Sequence, residues 1–428
     1  MFQNTAAFAL EMDRKDPLRS FRDKFFFPLV NGKQALYFTG NSLGLQPKTT
    51  QHYVLNELED WATYGVEGHF HARMPWFSYQ DFLTEQVAQL LGALPIEVVA
   101  MNSLTTNLHL LMASFYRPTH ERYKIICEYD AFPSDLYAVQ TQAAFHGFDP
   151  EKAVVYLKPR AGEVALREED VLQAIREHGD SLATVMLGAV NYYTGQFFDL
   201  PAIVKTAHAV GATAGFNLAH AAGNVELELH EWGADYACFC SYKYLNSGPG
   251  GVSGIFVHER HADDASLPRL AGWWGNDPAT RFSMPRNFVP AKGARSWQQS
   301  NAPVLSMAAL KASLDVFTDA GMMKPLRTKS EQLTGFLEHI LLDIDRALDE
   351  SLISIITPSD PLRRGCQLSV VFRRDGRKFF DALTERSVIV DWREPDVIRV
   401  APVPLYNSFE DVFQFGQILA EVISESGS

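Results

Sequence analysis

Cysteine is scarce in this chain. Only four occur in 428 residues: Cys127, Cys238, Cys240 and Cys366. They match no metal-ligand spacing and no disulfide framework, which points to a reducing, cytoplasmic home. Cys238 and Cys240 alternate within an apolar run, as on one face of a buried strand. Long hydrophobic stretches are missing too. No apolar run approaches the roughly 20 residues that a membrane span needs. The N-terminal MFQNTAAFALEMDRKDPLR carries acidic residues and no apolar core of the signal-peptide kind. Nor is there a surplus of positive charge. Lys and Arg total 38 against 51 Asp and Glu, a formal net charge of −13. That balance excludes nucleic acid and anionic membranes as expected partners, while a local site can still be positive toward a small anion. Internal repeats and low-complexity segments are absent. The rest is ordinary: 46% hydrophobic and 21% charged residues suit a globular chain with a large core.

A chain this long holds two or three domains, or one large and one small. From about Pro47 helical and strand patterns alternate. Apolar spacing of three and four predicts helices over 51–65, 77–93, 105–115, 134–146, 167–179 and 200–211. Continuous apolar runs predict strands over 123–129, 153–158, 183–190, 212–217, 236–240 and 251–258. This alternation is the mark of an α/β fold with a mainly parallel sheet covered by helices. Ligands in such sheets bind where strands end and loops gather. Beyond about Pro303 come long helices (306–317, 328–348), strands (353–358, 366–372, 397–402) and a final helix, which reads as a smaller α+β domain. The expected division is an N-terminal segment 1–60 packing with the small domain, a large domain 61–303 and a small domain 304–428.

Four stretches could carry chemistry. GNSLG, Gly40 to Gly44, formally matches the G-x-S-x-G of a serine-hydrolase elbow. An elbow needs its helix at once, whereas Pro47 places the helix start several residues late. A tight backbone turn is the better reading, with Ser42 no nucleophile. Lys243 follows the apolar run Tyr236–Cys240, between Tyr242 and Tyr244 and ahead of a Gly-rich turn. It is either a surface lysine snorkelling from a strand end or a lysine in a dry pocket, with a lowered pKa, forming a Schiff base. The second reading implies pyridoxal phosphate, which also needs an anion cradle, a stacking ring and a partner for its pyridine nitrogen. LTTN, Leu104 to Asn107, opens a helix whose free N–H groups suit phosphate, or Thr105 is a plain N-cap. FPSD, Phe132 to Asp135, offers a ring, a hydroxyl and a carboxylate after a strand, or a helix cap with a hydrophobic staple. A metal at His69-x-His71 lacks a third ligand, so none is expected.

Taken together these stretches resemble kynureninase, a family of fold-type I pyridoxal-phosphate enzymes. The likeness runs over nearly the whole chain, through YFTGNSLGLQP, NSLTTNLHLLMASFY, AFPSDLYA, NYYTGQ, LAHAAGNVELELHEWGADYACFCSYKYLNSGPGG, GWWG, RGCQLS and IRVAPVPLYNS. It implies a fold-type I transferase architecture, with a seven-stranded type of large-domain sheet. The implied activity is hydrolytic Cβ–Cγ cleavage of L-kynurenine or L-3-hydroxykynurenine, giving L-alanine and anthranilate or its 3-hydroxy form.

The resemblance also implies roles. Lys243 is the Schiff-base lysine and Tyr242 the proton donor. Leu104, Thr105, Phe132, Ser134, Asp135, His220 and Tyr242 contact the cofactor. Trp273 and Asn301 reach it from the partner subunit of a homodimer with shared sites. Arg399 holds the substrate carboxylate, a task that suits a guanidinium. His69, Trp274 and Ser300 lie near the substrate's aryl ring. One position departs from the pattern: Asn217, in GFNLAH, stands where the family carries Asp beside the pyridine nitrogen. Asn can hydrogen-bond there but cannot hold a proton by charge. The expectation is reduced but real turnover. The alternative is a homologue that binds cofactor and kynurenine with little catalysis. A cysteine desulfurase-like lyase would need a mobile loop cysteine, and the four here sit mostly in strand-like runs. A transaminase would release a keto acid.

Overall fold

The computed structural model describes residues 2–426, apart from 263 and 265. Seven strands form the main sheet: β1 (Val98–Ala100), β2 (Lys124–Glu128), β3 (Val154–Leu157), β4 (Leu182–Gly188), β5 (Thr213–Asn217), β6 (Tyr236–Phe239) and β7 (Gly254–Val257). Their spatial order is β1-β7-β6-β5-β4-β2-β3. β2 through β6 run parallel, and β7 is antiparallel to both its neighbours. The central strands are apolar on both sides because both sides are covered. Along β6, Tyr236 and Cys238 join one core layer, while Ala237 and Phe239 join the other. Ile125 and Ile126 of β2 divide in the same way, as the period of two requires.

The helix Leu104–Phe115 packs against Pro133–Phe145 and β6. On the opposite layer, Leu200–Ala209 covers β5. It starts where the chain provides both Pro201 in its first turn and an Asp199 side chain that accepts from Ala202 N. The helix Val304–Asp319 buries Met307, Leu310, Leu314 and Phe317 in the same core as the main sheet.

Four further strands make an antiparallel sheet: β8 (Ile353–Ile355), β9 (Leu368–Phe372), β10 (Asp391–Arg393) and β11 (Val397–Val400), in the order β8-β9-β11-β10. The helices Met323–Arg346 and Phe409–Ser426 share its core, and so does Ala9 of the N-terminal helix Ala6–Lys15. Asp13 fastens that first helix by accepting from Phe409 N (2.8 Å) and Glu410 N (3.0 Å), the free donors at the last helix's start. The four-stranded sheet meets the main sheet where the C-terminal ends of β2, β4, β5 and β6 gather, so the loops there face residues from both.

Candidate active site

A cavity of about 300 Å³ opens at those strand ends. Lys243, just past β6, projects into it. Its Nζ lies 2.9 Å from His220 Nε2, 5.8 Å from the Phe132 ring centre and 5.9 Å from that of Tyr242. Burial lowers the Lys243 pKa, and the Arg399 charge adds to that effect. Burial also holds His220 well below its usual range, with Lys243 and Arg399 contributing. When Lys243 donates to Nε2, the neutral imidazole carries its proton on Nδ1. That Nδ1 is buried and has no protein partner among the described residues.

The floor is acidic. Asp135 sits in the first turn of Pro133–Phe145 and Asn217 ends β5. The Asn217 amide donates to both Asp135 oxygens, at 2.8 and 2.9 Å, and its own oxygen accepts from Ala219 N at 2.9 Å. Burial pushes Asp135 up to about 6, against the opposing Asn217 bond and Lys243 charge. Glu128, at the end of β2, rises to about 7 through burial, although Gly188 N and Asn191 Nδ2 donate to it at 2.7 and 3.0 Å. Tyr242 is pushed well above its usual range by burial.

Along one wall runs the start of the helix Leu104–Phe115, where Ser103, Leu104 and Thr105 line the cavity. The N-cap is Ser103, so Thr105 lies inside the first turn and is not the cap. The Ser103 side chain makes no capping bond and instead pairs with Thr106 Oγ1. First-turn N–H groups therefore remain free for an anion. Phe132 and Ser134 complete that side. Nine of the residues singled out in the sequence thus share one cavity: Leu104, Thr105, Phe132, Ser134, Asp135, Asn217, His220, Tyr242 and Lys243.

The others lie elsewhere. Trp274 is fully buried in an aromatic cluster, stacked 5.7 Å from Phe77, which in turn stacks 4.7 Å from His69. His69 Nδ1 and Trp274 Nε1 both lack a partner among the described residues. Trp273, Ser300 and Asn301 are exposed; Ser300 and Asn301 border a separate hollow beside Met101 and Val252. Arg399 is buried on β11. Its Nη1 donates to Tyr192 O at 2.7 Å, and Tyr192 lines the main cavity.

GNSLG forms a turn closed by Ser42 N and Leu43 N donating to Thr39 O, and the next helix along the chain begins only at Thr50. The Ser42 hydroxyl donates to Asp391, not to a histidine. The glycines allow close approach. Gly44 N donates to Tyr242 O at 2.9 Å, and a Cβ on Gly44 would meet Lys243 O and Asn246 Oδ1 at 2.2 Å. A Cβ on Gly40 would meet the Tyr406 hydroxyl at 2.3 Å. The turn is a buttress for the Lys243 loop.

The cavity fits pyridoxal phosphate: an amine of lowered pKa, a helix start with open donors, an aromatic wall, and a buried His220 Nδ1 in want of a partner. Sequence reasoning passed over Glu128, Ser103, Asn191 and Tyr192. Glu128 carried one signal, a carboxylate closing an apolar strand.

The aminotransferase class-V family model matches residues 37–366, and that of the kynureninase C-terminal domain matches 326–419. Among similar proteins, the kynureninase of Flavobacterium johnsoniae is 54% identical over 422 residues, covering 99% of each chain. That of Myxococcus xanthus is 54% identical over 420 residues (98% of this chain, 97% of the other). That of Nematostella vectensis is 50% identical over 431 (96% and 92%). Among solved structures, a cysteine desulfurase from Thermococcus onnurineus superposes with a TM-score of 0.74 at 18% identity, covering 91% of this chain and 95% of that one. A cystine C–S lyase bound to cysteine persulfide gives 0.74 at 17%, covering 90% and 97%. These structures share the fold. All four cysteines of the present chain are free and buried.

Proposed function

The chain belongs to the kynureninase family, and from that premise we propose how its pocket acts. It is a pyridoxal-phosphate-dependent hydrolase that cleaves the Cβ–Cγ bond of L-kynurenine or its 3-hydroxy form. The observation that carries the reading of the site is Lys243, half-buried just past β6 against His220, in a cavity open to a helix start.

When bound, pyridoxal phosphate supplies an electron sink for the pair left at the substrate's Cα. Lys243 would hold the cofactor and would move the proton at Cα; its lowered pKa favours the unprotonated amine that this work needs. Leu104, Thr105 and Ser134 would hold the phosphate, the first two from the start of the helix Leu104–Phe115. Phe132 would stack on the ring, and Asn217 with Asp135 would be the pair offered to its nitrogen. His220 offers Nδ1–H to an acceptor on the cofactor. Arg399 takes the substrate carboxylate from the four-stranded side. Water adds to the aryl carbonyl, the Cβ–Cγ bond breaks, and Tyr242 gives Cβ its proton; burial keeps that phenol protonated at neutral pH.

The site is completed in a homodimer. Trp273, Ser300 and Asn301 stand exposed outside this chain's own cavity, which supports their serving the partner's site. His69 and Trp274, each with an unmet buried nitrogen, form the aryl-binding side. The two sheets with separate cores support a large unit and a small one that begins after the helix Val304–Asp319, since that helix packs in the large unit's core and not in the small unit expected from 304 on; the N-terminal helix lies on the small one. No helix among the described residues is long and apolar enough to cross a membrane, and we place the enzyme in the cytoplasm.

The test is steady-state turnover of the cofactor-loaded protein on L-kynurenine and L-3-hydroxykynurenine, followed by the fluorescence of anthranilate or its 3-hydroxy form. Turnover on either names the preference. Cofactor binding without either product would refute the reading.

A further inference from the structure

We infer that Arg393 is a second carboxylate-binding arginine of this site, and that Asp391 is the positioning residue that holds Arg393, Arg399 and Ser42 together. The inference rests on the reading above that Arg399 receives the substrate's carboxylate.

It starts from strand geometry. Asp391 on β10 pairs directly with Arg399 on β11, so their side chains leave the same face of the sheet. Arg393 lies two residues further along β10, and the period of two returns it to that face. Two guanidinium groups and one carboxylate are therefore forced together. The contacts converge on a single oxygen. Asp391 Oδ2 accepts from Arg399 Nη2 at 2.7 Å, from Arg393 Nη2 at 3.2 Å and from the Ser42 hydroxyl. Arg393 Nη2 also reaches Ser42 Oγ at 3.5 Å.

The cluster is not complete in itself. Two cations face one anion, leaving one positive charge over. Arg393 Nε and Arg399 Nε are both buried and lack partners among the described residues. Unmet charged donors are costly. Two of them side by side, beside a surplus charge, describe a seat for one further monoanion. The seat adjoins the reaction cavity through Tyr192, which lines that cavity. Arg399 grips the Tyr192 carbonyl there, and both arginines lower the pKa of Lys243 and His220. Exposure grades along the pair: the Arg393 side chain is 36% exposed and that of Arg399 is 1%. Arg393 is thus the more open of the two and Arg399 the deeper, and the substrate's α-carboxylate is assigned to the pair. A guanidinium fits either position because it can donate to both oxygens at once.

The test compares L-alanine with L-alaninamide, which lacks the carboxylate, as competitive inhibitors of the cofactor-loaded enzyme. The parent binds the acid more tightly than the amide. In Arg393→Gln that preference falls roughly tenfold, the worth of one charge-assisted contact, with KM for L-kynurenine rising and kcat changing less. Arg393→Lys recovers part of the preference. Asp391→Asn lowers it as well, because the two guanidinium groups lose their common anchor. If Arg393→Gln binds the acid and the amide in the parent's ratio, the inference is overturned; if that variant does not fold, the ratio in Arg393→Lys decides in the same way. A parent that shows no preference for the acid defeats the assignment of Arg399 instead, and the two failures are thereby distinguished.

Discussion

Replacing Asn217 by Asp sets a second carboxylate against Asp135. At present the Asn217 amide gives a hydrogen to each Asp135 oxygen, at 2.8 and 2.9 Å. In the variant, oxygen faces oxygen in a buried site. Two charges about 4 Å apart repel by about 4 kcal/mol at an effective dielectric constant of 20, or about three pK units. Asp135 alone already titrates at about 6, so the new pair shares one proton at pH 7 to 8 and titrates as a unit. Without cofactor, Asn217→Asp should lose a few kcal/mol of stability at pH 8. The loss should shrink as pH falls, because the shared proton removes the repulsion. A cation delivered to the pair reverses the effect. A pyridine nitrogen that is protonated when bound neutralises the extra charge, so pyridoxal phosphate should raise the melting temperature of the variant more than that of the parent. Turnover should rise too, because a protonated ring draws electrons more strongly. Differential scanning fluorimetry of both proteins, with and without cofactor at pH 8, measures the first; anthranilate fluorescence measures the second. Equal cofactor-induced shifts, together with turnover no faster than the parent's, would show that charge at position 217 does not matter here.

Gly44→Ala drives a Cβ to 2.2 Å from Lys243 O; overpacking of this kind costs about 1–3 kcal/mol, and the variant should melt lower and retain less cofactor per protomer after desalting. Glu128 has a folded pKa of about 7 against an ordinary 4.5. Its ionised form therefore costs stability above pH 7 and nothing below about 4.5, so Glu128→Gln should gain stability over the cofactor-free parent at pH 8 and lose that gain by pH 5, as followed by melting temperature across pH. Lys243→Ala should abolish turnover and retain cofactor poorly, with near-parental far-UV circular dichroism. Mixing Lys243→Ala with Asn301→Ala should restore part of the activity missing from each alone, as shared sites require; an additive mixture, or a monomer by sedimentation, would count against the dimer.

How much was legible in advance varies from residue to residue. The strands around Ile125, Val185 and Phe216 were readable because burial on both faces makes each run apolar from end to end, and that is a local property of the chain. Lys243 was readable as a charge closing such a run. The helix opening at Leu104 was found within one residue, yet Ser103 takes the cap where Thr105 was weighed for it, since side-chain hydrogen bonding there depends on what surrounds the turn. The direction of β7 had no local signature: antiparallel pairing with Cys238 and Val99 depends on which strands it meets. Arg393 and Asp391 were invisible for the same reason. In the sequence they are two charges on a short edge strand near a cis Glu394–Pro395 bond. Only the register of β10 on β11 lays Asp391 opposite Arg399, and only the packing of the Tyr37–Pro47 turn brings Ser42 to the same oxygen. Periodicity and side-chain chemistry act over a few residues, so the amino-acid sequence by itself determined the elements and the residue types able to react. The distances between those residues belong to pairings formed across hundreds of positions, and tertiary structure alone decided them.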